Sequence, residues 1–121
     1  SMLNSEDVAE SWRPGARQTM GFQRSTGVLY VLMHKGGVDT HYEPGEEAWL
    51  FDLGKKKRIG RVKLRVPAEA IQATQDSSAK MLTLNTEEDV DIYDAQLLRH
   101  LRTIVDPSSR PLYLQTLGRH D

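Results

Sequence analysis

Short apolar runs separated by turn residues make up most of the chain from Arg17 onward, and this pattern predicts an all-β protein. The clearest run, Val28–His34, is rich in β-branched and aromatic residues and is apolar at consecutive positions, as expected for a strand covered on both faces. The predicted strands are Gln18–Phe22, Val28–His34, Glu47–Leu53, Arg58–Leu64, Ala70–Thr74, Ala79–Leu84, Asp89–Asp94, Leu97–Val105 and Pro111–Leu117.

One of these segments, Leu97–Val105, also has helical features. Leucine and arginine favour a helix, and Leu97 and Leu101 are four residues apart, which would place them on one helical face. The strands before this segment repeat, however, and the repeat predicts a strand at this position. We therefore expect an outer strand here, with a helix as the alternative.

The two halves of the pattern resemble each other. Phe22–Leu32 parallels Thr74–Leu84 with an offset of 52 residues. Trp49–Asp52 parallels Asp91–Asp94 with an offset of 42 residues. The difference of 10 residues equals the extra length of the loop at Lys35–Glu46. The sequence therefore contains two units of four strands, and the first unit carries a loop insertion.

A four-stranded unit that repeats about every 40–50 residues is typical of a β-propeller blade. We predict an all-β fold of two four-stranded antiparallel β-propeller-type blades plus one extra C-terminal strand. The expected divisions are an N-terminal segment at 1–16, a first repeat at 17–66 with a long loop at 35–46, a second repeat at 67–105, and a turn with a final strand at 106–121 that completes another blade or chain. A small β-sandwich is the alternative, because a closed propeller needs roughly four to eight blades.

Large apolar and aromatic side chains on the predicted strands are the candidate core. Burial of such side chains is the main source of folding free energy, and core packing explains them without a cofactor. The candidate core residues are Tyr30, Trp49, Phe51, Leu84, Ile92 and Tyr93.

Composition narrows the functional classes. The chain has 121 residues, a formal net charge of −1 and no cysteine. The lack of cysteine excludes a disulfide framework, a cysteine-ligated zinc site and a thiol nucleophile. The near-zero net charge weighs against nucleic acid or an anionic membrane as a partner, and no apolar run is long enough to span a bilayer. The first residues lack the basic and apolar regions of a signal peptide.

The turn and strand at 55–65 are strongly basic. A solvated outer strand explains these charges, since the outermost strand of a blade faces solvent at its edge. A docking surface for an acidic partner is the functional alternative, whereas a nucleic-acid patch is disfavoured because no stacking aromatic residues lie between the charges. The basic residues are Lys55, Lys56, Lys57, Arg58, Arg61, Lys63 and Arg65.

The chain lacks the short motifs of common catalytic sites. Its glycines have no phosphate-loop context, and no Gly-x-Ser-x-Gly elbow indicates a hydrolase. The acidic cluster Glu87, Glu88, Asp89 and Asp91 lacks the glycine and terminal glutamate of an EF-hand loop, so a solvated hairpin tip is expected. We therefore predict no catalytic, cofactor-binding or metal-ligating residue.

The loop at 35–46 is the candidate contact segment, because it is long for a hairpin and long loops often carry binding. Its candidate contact residues are His34, Asp39, His41 and Tyr42. The two histidines, with Asp39 and Glu43 nearby, could also bind a transition metal, but their spacing matches no helical histidine pair. Contact with a partner is therefore the preferred interpretation.

Three short segments of the chain resemble segments of a known protein family. They are Ser11–Gly15 (Ser-Trp-Arg-Pro-Gly), Gly27–His34 (Gly-Val-Leu-Tyr-Val-Leu-Met-His) and Glu47–Asp52 (Glu-Ala-Trp-Leu-Phe-Asp). In these segments, and in the order and spacing of its two units, the chain resembles the heavy subunit of quinoprotein amine dehydrogenases. These enzymes are the methylamine and aromatic amine dehydrogenases. The resemblance runs from Ala9 to the C-terminus and corresponds to the C-terminal third of that subunit.

The resemblance implies a fold, an activity and partners. The family's heavy subunit is a seven-bladed propeller of periplasmic origin, and it pairs with a small, disulfide-rich light subunit. The light subunit carries tryptophan tryptophylquinone, made from two of its own tryptophans. The assembly oxidises primary amines to aldehyde and ammonia and passes the electrons to an acceptor protein.

The chain differs from that heavy subunit in size. It has about two blades rather than seven. Its two tryptophans, Trp12 and Trp49, lie in segments that resemble the heavy subunit. We therefore predict a scaffold chain whose quinone cofactor resides in a partner light subunit. A free-standing, self-associating β-blade module without enzymatic activity is the alternative, so enzymatic activity stays open. The resemblance implies a periplasmic location.

The final predicted strand is the expected partner interface. In the family's ring the corresponding strand closes against the first blade, so two blades alone leave it unpaired. Unpaired strands and open blade faces favour association. We predict a homo-oligomer in which this strand pairs with another chain or folds back on the first unit. Its interface residues are Leu112, Tyr113, Leu114, Gln115 and Thr116.

Overall fold

The computed structural model of the chain describes residues 11–36 and 43–105, and every regular element in these two ranges is a β-strand. Alternating side chains, β-branched residues and tight turns explain why these segments are strands rather than helices. The eight strands are β1 (Trp12–Pro14), β2 (Met20–Gln23), β3 (Val28–Lys35), β4 (Gly45–Asp52), β5 (Lys57–Ala73), β6 (Lys80–Asn85), β7 (Val90–Asp94) and β8 (Arg99–Ile104).

The strands form one open sheet with the order β1-β3-β4-β5-β6-β7-β8, and β2 also pairs with β3. Every one of these pairings is antiparallel. The first unit comprises β2, β3, β4 and the first half of β5, and the second unit comprises the second half of β5, β6, β7 and β8. The predicted all-β fold with two blades of β-propeller type is confirmed. The predicted strand Pro111–Leu117 lies outside the described residues.

β5 joins the two units without a break. The sequence predicts separate strands at Arg58–Leu64 and Ala70–Thr74, but β5 is one strand of 17 residues. Residues 57–63 pair with β4, and residues 68–73 pair with β6, so the outer strand of the first unit becomes the inner strand of the second. Pro67 lies where the strand changes partner, a position at which a missing N–H is tolerated.

β1 is a strand that the hydrophobic pattern does not predict, because it has only three residues and lies in the polar segment at 1–16. Trp12 pairs with Lys35 and Pro14 with Met33, so β1 extends the inner edge of β3. The Trp12 side chain is buried against Trp49, with ring centroids 5.5 Å apart. Burial of this large aromatic side chain stabilises a strand too short to form alone.

The segment between β1 and β2 crosses to the second unit. Arg17 and Gln18 both donate their N–H to the Glu69 carbonyl, and the Gln18 carbonyl accepts the N–H of Ile71. Gln18 and Ala70 also form a parallel bridge. The innermost strands of the two units therefore run side by side in the same direction.

Gly21 marks a close approach of these innermost strands. A Cβ atom added to Gly21 would lie 3.0 Å from the Cα of Gln72 and 3.1 Å from the amide nitrogen of Ala73. Both contacts are to backbone, which cannot swing aside as a side chain can. Glycine is therefore needed for the two units to meet this closely.

Apolar side chains form a cluster on each face of the first unit. The inter-unit core contains Ala16, Tyr30, Leu32, Ala48, Leu50, Val62, Leu64, Ala68, Ile71, Met81 and Tyr93. The outer core, on the opposite face of the first unit, contains Trp12, Val31, Met33, Trp49 and Phe51. The two clusters follow from the alternation of side chains along β3 and β4. Of the predicted core residues, all but Leu84 are buried.

The prediction that Leu84 belongs to the core is wrong, since its side chain is 43% exposed. Alternation along β6 buries Met81 and Thr83 and turns Leu84 to the opposite side of the second unit. Val90 lies beside Leu84, and Ile104 lies beside Val90. These three side chains define the far face of the second unit, where Ile104 is also half exposed.

Two turns of equal geometry reflect the sequence repeat. The Oδ1 atoms of Asp52 and Asp94 accept the N–H of the residue three positions later, at 3.0 Å and 2.8 Å. The residue four positions after each aspartate, Lys56 or Leu98, has a φ of 55°. The strand predicted at Leu97–Val105 is confirmed over Arg99–Ile104, and the helical alternative is wrong because Leu97 and Leu98 belong to the turn.

Candidate functional site

A layer of cations covers the outer core of the first unit. The guanidinium of Arg61 lies 4.8 Å from the Trp49 ring centroid and 5.1 Å from that of Trp12. The guanidinium of Arg58 lies 4.7 Å from Trp49, and Lys35 Nζ lies 5.1 Å from Trp12. Aromatic faces attract cations at these distances. Charged side chains therefore cover the two indole rings on this face of the first unit.

Glu47 is the counter-charge of this layer. Its Oε1 accepts hydrogen bonds from Arg61 Nε at 2.7 Å and from Trp49 Nε1 at 2.9 Å. Burial by itself would raise the pKa of Glu47, but these hydrogen bonds and the charges of Arg61 and Lys35 lower it. The carboxylate therefore stays ionised and holds the Arg61 guanidinium over the two indole rings.

Asp91 is the centre of a second polar network, at the junction of β5 with the second unit. Its side chain is fully buried. Asn85 Nδ2 donates to Oδ2 at 2.9 Å, Arg65 Nε donates to Oδ1 at 3.1 Å, and the Thr103 hydroxyl also donates to Oδ1. Burial by itself would raise the pKa of Asp91, but the hydrogen bonds from Asn85, Thr103 and Arg65 lower it.

The aspartate, histidine and hydroxyl groups of this network do not form a nucleophilic relay. His100 Nε2 lies 2.9 Å from Thr103 Oγ1 and 3.4 Å from Asp91 Oδ1, so the same ring nitrogen faces both groups. A relay needs the carboxylate on one ring nitrogen and the hydroxyl on the other. The network instead ties Arg65 of β5 to the strands β6, β7 and β8.

Sequence reasoning missed this network because it treated Asp91 as one acid of a solvated hairpin tip. The signal was present in the alternation of β7. Asp91 occupies a position between Val90 and Ile92, on the face that the inward-pointing Thr83 shares across the strand pair. An acid on a buried face requires partners, and Arg65 supplies one of them.

A cavity of about 350 Å³ opens between the two units, beside their turns. Its walls include Val28, Leu50, Ile59 and Leu98, together with Tyr30. The Tyr30 hydroxyl is buried and has no hydrogen-bond partner among the described residues, and burial raises the pKa of Tyr30. The cavity can hold a small apolar molecule or side chain. Among the described residues that line it, Tyr30 is the one ionisable group, so the cavity offers no acid–base pair.

The structure describes only part of the predicted contact segment. His34 is 2% exposed, and a Cβ atom added to Gly15 would lie 2.2 Å from its Nδ1, so the imidazole is packed against the β1–β2 segment. Asp39, His41 and Tyr42 lie outside the described residues, and so do the interface residues at 112–116. The contact role of both groups stays a prediction.

The acidic residues of the hairpin between β6 and β7 are not arranged as a metal site. Glu87 and Glu88 are exposed, whereas Asp89 and Asp91 are buried. Within 11–36 and 43–105, no three histidine or acidic side chains are grouped so that they could hold a metal ion. The same ranges contain no helix long and apolar enough to cross a bilayer.

The chain is similar to proteins of one known family. A family model, that of the methylamine dehydrogenase heavy chain, matches residues 1–116. The chain is 27% identical over 86 residues to the methylamine dehydrogenase heavy chain of Methylophilus methylotrophus. The aligned region covers 71% of this chain and 21% of that protein.

Two further heavy chains show similar likeness. The methylamine dehydrogenase heavy chain of Methylorubrum extorquens is 20% identical over 108 residues, which covers 88% of this chain and 26% of that protein. The heavy chain of Methylobacillus flagellatus is 26% identical over 86 residues, which covers 71% of this chain and 22% of that protein. The chain thus spans about a quarter of the length of the curated relatives that it matches.

Proposed function

The chain belongs to the methylamine dehydrogenase heavy chain family, and from this premise we propose that it is part of the scaffold of a quinoprotein amine dehydrogenase. Its role is to bind and position a small light subunit that carries tryptophan tryptophylquinone. The light subunit supplies the chemistry, which is oxidation of a primary amine to aldehyde and ammonia. The electrons then pass to an acceptor protein in the periplasm.

The family match over residues 1–116 carries this proposal, because it includes both blade units. Blades of this kind stack face to face and present their turns and edges to other proteins. The activity, the substrate and the partners belong to the whole assembly, of which this chain corresponds to about a quarter of the heavy-chain length.

The two tryptophans support a scaffold role. Tryptophan tryptophylquinone is built from two tryptophans, and an amine substrate has to reach it. Trp12 and Trp49 are in contact but are only 5% and 0% exposed, beneath the guanidinium groups of Arg58 and Arg61. These residues do not fit a quinone that a substrate can reach, which argues for a cofactor on the partner.

Complex formation with a light subunit tests the proposal. We would mix the full chain with the purified quinone-bearing light subunit of a methylamine dehydrogenase and follow the quinone absorbance by sedimentation velocity. We expect the absorbance to move with a heavier species that contains both chains. A light subunit that sediments alone with the chain in micromolar excess would contradict the scaffold role. Amine-dependent dye reduction by the chain alone would contradict its lack of a catalytic group.

The far face of the second unit favours a second candidate function, self-association without enzymatic activity. Leu84 and Ile104 are 43% and 50% exposed there, whereas Val31 and Phe51 on the outer face of the first unit are nearly inaccessible. The second unit therefore presents an open apolar face, whereas the apolar surface left open on the outer face of the first unit is limited to β2, where Met20 and Phe22 are 52% and 41% exposed. Exposed apolar sheet faces favour contact with another protein surface, and a homo-oligomer would cover this one with another copy of the chain.

A further inference from the structure

Positive charge is concentrated on two segments of the chain. Residues 55–65 and 99–102 together hold nine of the 16 lysine and arginine residues and no aspartate or glutamate. The rest of the chain carries seven positive and 17 negative side chains. The two segments therefore carry a formal charge of +9 and the rest carries −10, a separation that the net charge of −1 conceals.

These segments are the outer strands of the two units. The first half of β5 pairs with β4 alone, and β8 pairs with β7 alone, so each is the edge of its unit within the described residues. The two edges are neighbours. A Cβ atom added to Gly60 would lie 2.8 Å from Leu98 Cδ1, and Arg65 and His100 both reach Asp91. We refer to these two edges, with the turns before them, as the outer basic surface.

Most cations of this surface are not neutralised within the described part of the chain. Arg61 is paired with Glu47 and Arg65 with Asp91. Six other side chains are exposed and form no ion pair with described residues: Lys55, Lys56, Lys57, Lys63, Arg99 and Arg102. Such an excess of one sign attracts a partner of the opposite sign.

Exposed apolar side chains on the same strands and turns indicate what kind of partner fits. Ile59, Leu97 and Leu101 are 47%, 61% and 42% exposed. Protein interfaces combine an apolar centre with a polar or charged rim. Single-stranded nucleic acid instead uses exposed aromatic rings for stacking, and the aromatic residues of the adjacent strands β4 and β7, which are Trp49, Phe51 and Tyr93, are buried.

We infer that the outer basic surface is a docking site for an acidic protein. The unpaired lysines and arginines attract its carboxylates, and the three exposed aliphatic side chains give the contact an apolar centre. The proposal is independent of the light subunit and concerns a surface that the family likeness does not assign.

A polyglutamate peptide of about 20 residues serves as the probe, with binding measured by fluorescence anisotropy between about 20 mM and about 300 mM salt. We expect binding at low salt that is lost at high salt. The variant K55Q/K57Q/K63Q should weaken it about fivefold to tenfold, since exposed charge pairs each contribute modestly. The matched variant R17Q/R24Q/K80Q removes the same charge elsewhere and should stay within about twofold of the unmodified chain. No binding at low salt, or equal weakening by both variants, would overturn the proposal.

Two further probes separate an acidic protein from other anions. A DNA duplex of about 20 base pairs and phosphatidylserine vesicles carry phosphate charge without apolar side chains. If either bound more tightly than the peptide through the same lysines, a protein partner would be excluded. A peptide with the same number of glutamates and interspersed leucines should bind more tightly than polyglutamate. That advantage should disappear in I59S/L97S, whose two positions are exposed, and its persistence would contradict the apolar centre.

Discussion

Gln23 and Gln75 reach across the junction of the two units in opposite directions. Gln23 Nε2 donates to the Thr74 carbonyl at 3.1 Å, and Gln75 Nε2 donates to the Phe22 carbonyl at 2.8 Å. The two glutamines are 52 residues apart, and so are Phe22 and Thr74, which is the offset of the repeat. The repeat therefore produces a reciprocal clasp, in which a glutamine of each unit binds the backbone of the other.

Replacement of Gln23 by alanine should destabilise the chain. Gln23 is 2% exposed, donates to the carbonyls of Thr74 and Asp76, and accepts the Thr26 hydroxyl, so its loss removes three part-buried hydrogen bonds. We expect a decrease of about 2 kcal/mol in the free energy of unfolding, measured by urea denaturation. Gln96→Ala, at an exposed turn position, is the control and should change it by less than about 0.5 kcal/mol. Equal effects of the two substitutions would contradict the clasp.

Gly21→Ala should separate the two units. The new methyl group would meet the backbone of Gln72 and Ala73 at about 3 Å, and neither strand can yield without losing its pairing. We expect a loss of about 1–3 kcal/mol in the free energy of unfolding. Gly54→Ala is the matched control, because its Cβ atom would have ordinary contact with Asp52 Oδ1 at 3.4 Å. If the two alanine variants were equally stable, the close approach of the inner strands would be refuted.

The stability of the chain should depend on Asp91 at acidic pH. Its pKa is lowered in the folded chain, whereas an unfolded aspartate titrates near about 3.9. Ionised Asp91 therefore stabilises the fold above about pH 4, and this contribution is lost as the pH falls from there through the folded pKa. Asp91→Asn should cost about 2 kcal/mol at neutral pH, because the buried carboxylate that accepts the charge-assisted hydrogen bond of Arg65 is lost.

Urea denaturation between about pH 3 and pH 7 measures the effect of Asp91. The difference between the unmodified chain and Asp91→Asn should shrink as the pH falls. The pKa of Glu47 is also lowered, but Glu47 is present in both chains and its contribution cancels. A difference that stays constant across this range would show that the ionised carboxylate is not the source of the stability.

Self-association through the far face of the second unit should be sensitive to charge at its centre. Leu84→Asp places a carboxylate among Val90 and Ile104, where burial against another copy would be costly. We expect the sedimentation coefficient of the unmodified chain to rise with concentration. That of the Leu84→Asp variant should remain at the value of a monomer. Leu97→Asp introduces the same charge at a more exposed site and should leave association unchanged. If the unmodified chain remained a monomer at micromolar concentration, the self-association candidate would fail.

Local sequence pattern was sufficient for the repeat and for most of the strands. The run of β-branched and apolar residues at Val28–His34 and the recurrence of an aromatic residue followed by aspartate, at Phe51-Asp52 and Tyr93-Asp94, depend on neighbours within a few residues. Strand geometry and turn conformation are set over the same short range. The strands of the two four-stranded units and the family likeness were therefore predictable from the sequence, whereas β1 and the continuity of β5 were not.

Contacts between distant residues were decided by the tertiary structure. Two-residue periodicity shows that Leu84 and Met81 point to opposite faces, but it does not show which face meets the first unit. Trp12 forms a strand because Trp49, 37 residues away, offers it a buried surface. Asp91 became a buried ion-pair partner because β5 brings Arg65 to it. Burial is a property of the packed assembly, and for this reason the sequence determined the elements while packing determined which of their faces, charges and edges remain open.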